Sequence, residues 1–169
     1  MTTGRRKTGI KPIETLTFDE IDQKILDLLQ HDSDTSVNVI SEAVGLSVTP
    51  CWRRIKRMEE AGLIKKRVVL VDQARANVPM TIFIGVTTSR HEINWLQKFC
   101  DLIDEIPEIV EAYRLTGTVD YILKVIVSDM AAYDQVYKKM IERLDFNQVN
   151  SMISMEELKF TTAIPTKYL

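Results

Sequence analysis

Between Val37 and Met58 the apolar residues recur at helical spacing and lose step once, at Gly45, and that one interruption constrains the N-terminal third more than any other feature. Val37, Ile40 and Val44 mark the inner face of a first short helix. Gly45 supplies the permissive backbone a sharp turn needs, and Leu46 continues the buried surface. A second helix then starts, with Ser47 and Thr49 as candidate caps and Pro50 near the first helical position, where a missing amide hydrogen does no harm. Cys51, Ile55 and Met58 lie at i, i+4 and i+7 and form one inward stripe, so the other faces look outward. Upstream, TFDEIDQKILDLLQHDSD puts Phe18, Ile21, Ile25, Leu28 and Leu29 on one face, with Thr17 as its candidate cap and Glu20 three residues on. That supporting helix closes a small three-helix core behind the turn; His31, near its C-terminal end, reads as structural or solvated.

The outward faces of the second helix carry Arg53, Arg54, Lys56 and Arg57, with Lys65, Lys66 and Arg67 just beyond. Residues 47 to 67 thus hold seven bases against two acids in a chain whose net charge is −2. Residues 1 to 67 have twelve Lys/Arg and ten Asp/Glu (+2), leaving ten against fourteen (−4) for the remainder, so positive charge is gathered at one place. In a helix-turn-helix the second helix enters the major groove of double-stranded DNA, its first residues touching base edges and flanking cations touching phosphate. Thr49 and Arg53 are then placed to read bases, with Ser47 and Trp52 beside them, and Arg54, Lys56 and Arg57 to hold phosphate. A merely solvated basic face is the competing reading. The order of helix, glycine turn, Ser/Thr-Pro start and basic helix favours DNA. Cys51 lies on the apolar stripe without a Cys or His at metal-ligand spacing and reads as a small core residue.

Residues 1–15 carry Arg5, Arg6, Lys7 and Lys11 without periodicity and read as a flexible basic tail; the helix-turn-helix domain is expected at 16–65. After Gly62 the run KKRVVLVD turns to extended periodicity and predicts a strand, a candidate wing. The polar DQARANVP then completes a linker over 66–79. Beyond it, over 80–169, the elements alternate: a strand from Met80, a helix from Glu92 to Ile106 with Ile93, Leu96, Phe99, Cys100 and Ile103 inward, and strands at Ile109–Leu115 and Tyr121–Val127. A helix capped by Asp129 and bearing Tyr133, Val136, Met140 and Leu144 follows, then strands at Val149–Met155 and Glu157–Thr162. The fold class is therefore α+β: an N-terminal three-helix (winged) helix-turn-helix domain, then a ferredoxin-like βαββαβ domain whose uncovered sheet face packs on a second copy. With 27% charged residues the apolar runs fall short of a membrane span, and the basic N-terminus lacks a signal core, so the expectation is a cytoplasmic chain with no membrane association. Cys51 and Cys100 sit in different expected domains and predict no disulfide.

No nucleophile elbow, phosphate loop or zinc signature is present, and His31 and His91 lie apart, so no enzyme, catalytic residue, metal or cofactor is expected. An RNA-recognition module shares the strand order of the C-terminal half, but the aliphatic YILKVIVSD lacks its stacking aromatics.

Taken together, FDEIDQKILDLLQHDSDTS, AVGLSVTPCWRRIKRMEEAGLIKKRVVLVD, LTGTVDYILKV and MEELKFTTAIP, in that order, resemble the Lrp/AsnC (feast/famine) family of transcriptional regulators over nearly the whole chain. The resemblance implies an N-terminal DNA-binding domain, a C-terminal domain that binds small effectors, often amino acids, and homodimers assembling into rings or discs, an octamer being the expected size. It also implies an effector pocket formed in part by the loop from Leu115 to Tyr121. Gly117 would let backbone donors approach a carboxylate closely, Asp120 could accept from an amino group and Ser151 could add a hydroxyl, with Thr118 and Tyr121 completing the candidate set. Thr118 and Val119 depart from the acidic or aromatic residues many members carry there. A tight hairpin with Asp120 satisfying turn amides is the competing reading. The alternative function is a metabolite-sensing oligomeric module whose DNA binding follows assembly state.

Overall fold

The computed structural model describes residues 17–89 and 92–169. The expected basic tail and His91 lie outside the described residues. The chain divides into two compact units: the described residues up to Val69 together with Phe160–Leu169 form one, and Leu70–Lys159 the other. The second unit thus begins before the linker boundary expected at 79, and the last ten residues belong with the helices rather than with the sheet.

The first unit holds α1 (Glu20–His31), α2 (Val37–Ala43) and α3 (Val48–Glu60). Ile25, Leu26, Ile40, Cys51, Ile55 and Met58 are its buried core, with Phe18, Ile21, Leu28 and Leu29 packed partly against it. The cap of α1 is Asp19 rather than Thr17. Its side chain accepts from the Ile21 and Asp22 amides, while Asp22 reaches back to the Asp19 amide, completing a capping box two residues later than expected. Two Schellman turns shape the helix-turn-helix. At the end of α2, Gly45 takes φ 71° while Leu46 N–H donates to Ser41 O at 2.8 Å and Gly45 N–H to Glu42 O at 3.2 Å. At the end of α3, Gly62 takes φ 73°, with Leu63 N–H donating to Met58 O and Gly62 N–H to Glu59 O, both at 3.0 Å. The positive φ at each turn is a conformation that L side chains resist, which is why glycine stands at both. Ser47 is the N-cap residue of α3 but its hydroxyl makes no capping bond, and Thr49 lies inside the helix.

The second unit is built from β1 (Met80–Thr87), α4 (Ile93–Glu105), β2 (Ile109–Arg114), β3 (Tyr121–Val127), α5 (Met130–Arg143) and β4 (Gln148–Ile153). The sheet order is β2-β3-β1-β4 with every pairing antiparallel, the ferredoxin-like arrangement expected from the sequence. Ile82, Ile84, Val86, Leu123 and Val125 are buried under α4 and α5. On α4 Phe99 is inward as expected and Leu96 and Ile103 pack partly against the core, but Trp95, Leu102 and, just past the helix, Ile106 are buried in place of Ile93 and Cys100. Ile93 is 89% exposed, and Cys100 is exposed too. Trp95 and Phe99 stack at 5.0 Å and meet Tyr121 and Phe146, so aromatic packing sets the helix rotation.

Two expected strands do not form. Residues 63–79 contain no strand among the described residues, and Val68, Val69, Leu70 and Val71 are 51–88% exposed with no neighbour to pair with. The second lies at 157–162, where the chain leaves the sheet after β4. It returns to α1 instead: Thr166 Oγ1 donates to Asp27 Oδ1 at 2.8 Å and Ile164 N–H to Gln30 Oε1 at 2.7 Å. Among the described residues no helix is long and apolar enough to cross a membrane.

Candidate nucleic-acid interface and effector loop

Because Cys51, Ile55 and Met58 are buried, the opposite side of α3 is fixed outward. Thr49, Trp52, Arg53 and Lys56, spaced i, i+3, i+4 and i+7, share that side and are all exposed, with Trp52 half in solvent at 50%. Ser47 is exposed at the helix start. Arg53 has no ion pair among the described residues. Lys56 donates to Glu59 at 2.6 Å, a surface pair that a phosphate can displace at little cost. Lys65 and Lys66 extend the exposed positive surface, while Arg67 donates to Ser33 O at 3.1 Å.

Arg54 and Arg57 point elsewhere. Arg54 Nη1 donates to Asp19 at 2.9 and 2.8 Å and to Asp22 Oδ1 at 2.9 Å, and Arg57 Nη2 pairs with Asp22 Oδ2. Hydrogen bonds donated first to Asp22 and then to Asp19 raise the Arg54 pKa further above its ordinary value. Asp22, buried and bonded to both arginines, is the candidate residue that sequence reasoning missed. The available signal was its place on the helix face shared by Phe18, Ile25 and Leu26. Burial pushes the Cys51 thiol up, consistent with a core role.

The candidate effector residues are divided among four environments. Gly117 and Thr118 are exposed at the tip of the β2–β3 connection, where Gly117 takes φ 121°. Asp120 spans to the end of β1: its carboxylate accepts from Thr88 N–H at 2.8 Å, and its own amide donates to Val86 O at 3.0 Å. Tyr121 is a core residue, 4.8 Å from the Phe99 ring. Ser151 is exposed on β4 and bonded to the Tyr133 hydroxyl of α5. A recess of about 210 Å³ beside Trp95 and Arg143 is lined by none of the five. Val119, next to the loop tip, lies over Gly85: a Cβ built on Gly85 would meet its methyls at 3.4 and 3.6 Å. No group of three or more His, Cys, Asp or Glu able to hold a metal occurs among the described residues.

The open face of the sheet carries Phe83, Ile122 and Ile126, which are half-buried, with Met152, paired opposite Phe83, at 51% exposure. Lys124 and Glu111 meet there at 3.2 Å.

Comparison with known proteins bears on both units. A winged helix-turn-helix DNA-binding family model matches residues 18–65, and the Lrp/AsnC ligand binding domain model matches residues 81–164. The glutamate uptake regulatory protein of Zymomonas mobilis subsp. mobilis is 43% identical over 88% of this chain and 90% of that protein. The crystal structure of an AsnC family transcriptional regulator from Agrobacterium tumefaciens superposes with a TM-score of 0.87 at 47% identity, covering 90% of this chain and 99% of that one. A transcriptional regulator from Neisseria meningitidis, solved as an L-Met complex, reaches 0.85 at 30% identity, with 90% and 99% covered. With both of its units matched in order, and with relatives aligned over most of its length, the chain belongs to the Lrp/AsnC family of DNA-binding transcriptional regulators.

Proposed function

We propose that α3 reads double-stranded DNA through Thr49 and Arg53 at base edges, with Ser47 and Trp52 beside them and Lys56 on phosphate, and that a small effector modulates this binding. The observation that carries the reading is the outward side of α3, where an unpaired Arg53 stands between Trp52 and Lys56 on a helix whose other side is locked into a core. Residues near the start of such a helix meet bases, and cations along it meet phosphate. Regulation of DNA, rather than catalysis, is the activity, exercised in the cytoplasm.

The effector is an amino acid, as supported by the L-Met bound to the Neisseria relative. Gly117 and Thr118 are the direct contacts. Asp120, already accepting from Thr88, holds the loop, Tyr121 supports it from the core, and Ser151, exposed on β4 and bonded to Tyr133, adds a hydroxyl. The pocket is completed by another copy of the chain. The occupant of the open sheet face is likewise a second copy, because Phe83, Ile122, Ile126 and Met152 form an apolar surface costly to leave in water. Dimers joined there assemble further, to an octamer.

The test is duplex binding across a salt series. Arg53→Ala should cost about 1–3 kcal/mol and relax base preference, whereas Lys56→Ala should weaken all sequences alike and reduce the salt slope by about one. An Arg53→Ala protein with an unchanged ratio of preferred to scrambled binding would overturn the assignment. Melting with each of the twenty amino acids identifies the effector, and sedimentation with and without it separates direct response from control through assembly.

A further inference from the structure

Arg54 and Arg57 belong to the basic helix by sequence but not by contact. Arg54 closes on both oxygens of Asp19 and on Asp22, Arg57 closes on Asp22, and the Arg57 guanidinium stands 5.7 Å over the Phe18 ring. Asp22 is wholly buried. The same two aspartates form the capping box of α1, so the residues that start that helix also seat α3. Two cations face two carboxylates, and the group cancels locally. Drawing either arginine to a phosphate would strip a buried carboxylate of a partner, an expensive exchange in a low-dielectric site. Lys56 loses only an exposed contact when it turns to DNA.

We propose that Arg54 and Arg57 are positioning residues, clamped by Asp19 and Asp22 to fix the rotation of α3 so that Thr49 and Arg53 face the groove; this rests on the reading of α3 as the DNA-reading helix. The clamp contributes to selectivity and adds no phosphate contact. Asp22 is its centre, because it alone bonds both arginines and the α1 backbone.

The two roles for the arginines predict opposite signs for one substitution. Full-length wild type, Asp22→Asn, Arg54→Gln and Arg57→Gln are titrated against a duplex selected from a random pool and a scrambled duplex of equal length, at several salt concentrations. Were the arginines phosphate ligands, Asp22→Asn would free them and remove an anion, tightening binding to both duplexes and steepening the salt dependence. Positioning requires the reverse: selected-site affinity falls about tenfold, scrambled binding stays within about twofold, and the slope is kept. Arg54→Gln and Arg57→Gln should behave the same way, while Lys56→Gln lowers the slope by about one. A role confined to stability would shift the melting temperature and leave both affinities intact well below it. That outcome, or tighter binding by Asp22→Asn, overturns the proposal. If Asp22→Asn does not fold, the arginine variants decide, since a slope reduced by about one for each would show phosphate contact. A wild type that binds neither duplex defeats the reading of α3 and the inference with it. A wild type that binds selectively, with variants equally selective, defeats the inference alone.

Discussion

Asp22 occupies a position where an amphipathic pattern leads one to expect a leucine. It lies on the α1 face shared by Phe18, Ile25 and Leu26, and a carboxylate there survives because Arg54 and Arg57 arrive from more than thirty residues away. Such a pairing is invisible to local periodicity, which is why the two arginines read as phosphate ligands from sequence while Thr49, Trp52, Arg53 and Lys56 read correctly as exposed. Asp19 beside it is held below the ordinary aspartate range, first by the Asp22 amide and also by the Arg54 guanidinium, against the opposing effect of desolvation. A carboxyl lowered on folding adds stability that is complete above its unfolded value of about 3.9 and is lost as pH falls through the lower folded value. Asp19→Asn should therefore be less stable than wild type at neutral pH, with the difference shrinking in melts carried below about pH 3.9.

Helices and strands were legible to different depths. Among the described residues the five α-helices and the four paired strands follow from spacing, because a 3.6-residue or 2-residue repeat is set by the element itself. Which side of α4 turns inward is a matter of what it meets. Trp95 and Phe99 find Tyr121 and Phe146, and this aromatic cluster outweighs the aliphatic stripe through Ile93 and Cys100. Phe99→Ala should accordingly cost about 3–5 kcal/mol. Ile93→Ser, on the solvent side, should stay within about 0.5 kcal/mol. Chemical denaturation measures both, and a reversed order would contradict the burial of Phe99 and the exposure of Ile93. Val68–Val71 and Glu157–Thr162 have the composition of strands but pair with no strand among the described residues, and composition carries no information about that. The β2–β3 connection is the mirror case: its turn was readable from Gly117 and Asp120, whereas the withdrawal of Tyr121 into the core and the pairing of the exposed Ser151 with Tyr133 depended on the sheet register.

At the scale of the molecule, the first unit is made of two pieces of chain, one before the sheet-bearing unit and one after it. Thr166 is buried with its hydroxyl on Asp27, and Gln30 both accepts from and donates to the Ile164 backbone. Thr166→Val should cost about 1 kcal/mol, and deletion of 160–169 should raise hydrogen exchange along α1 while leaving β1 and β3 protected. Equal exchange in α1 with and without the segment would refute its structural role. Ninety residues, Leu70 to Lys159, are thereby inserted within a single small body. During synthesis, then, the DNA-binding helices emerge first but gain their closing strap last, after the whole sheet has been made. A chain that stops before Phe160 lacks the finished form of helices made well before the break.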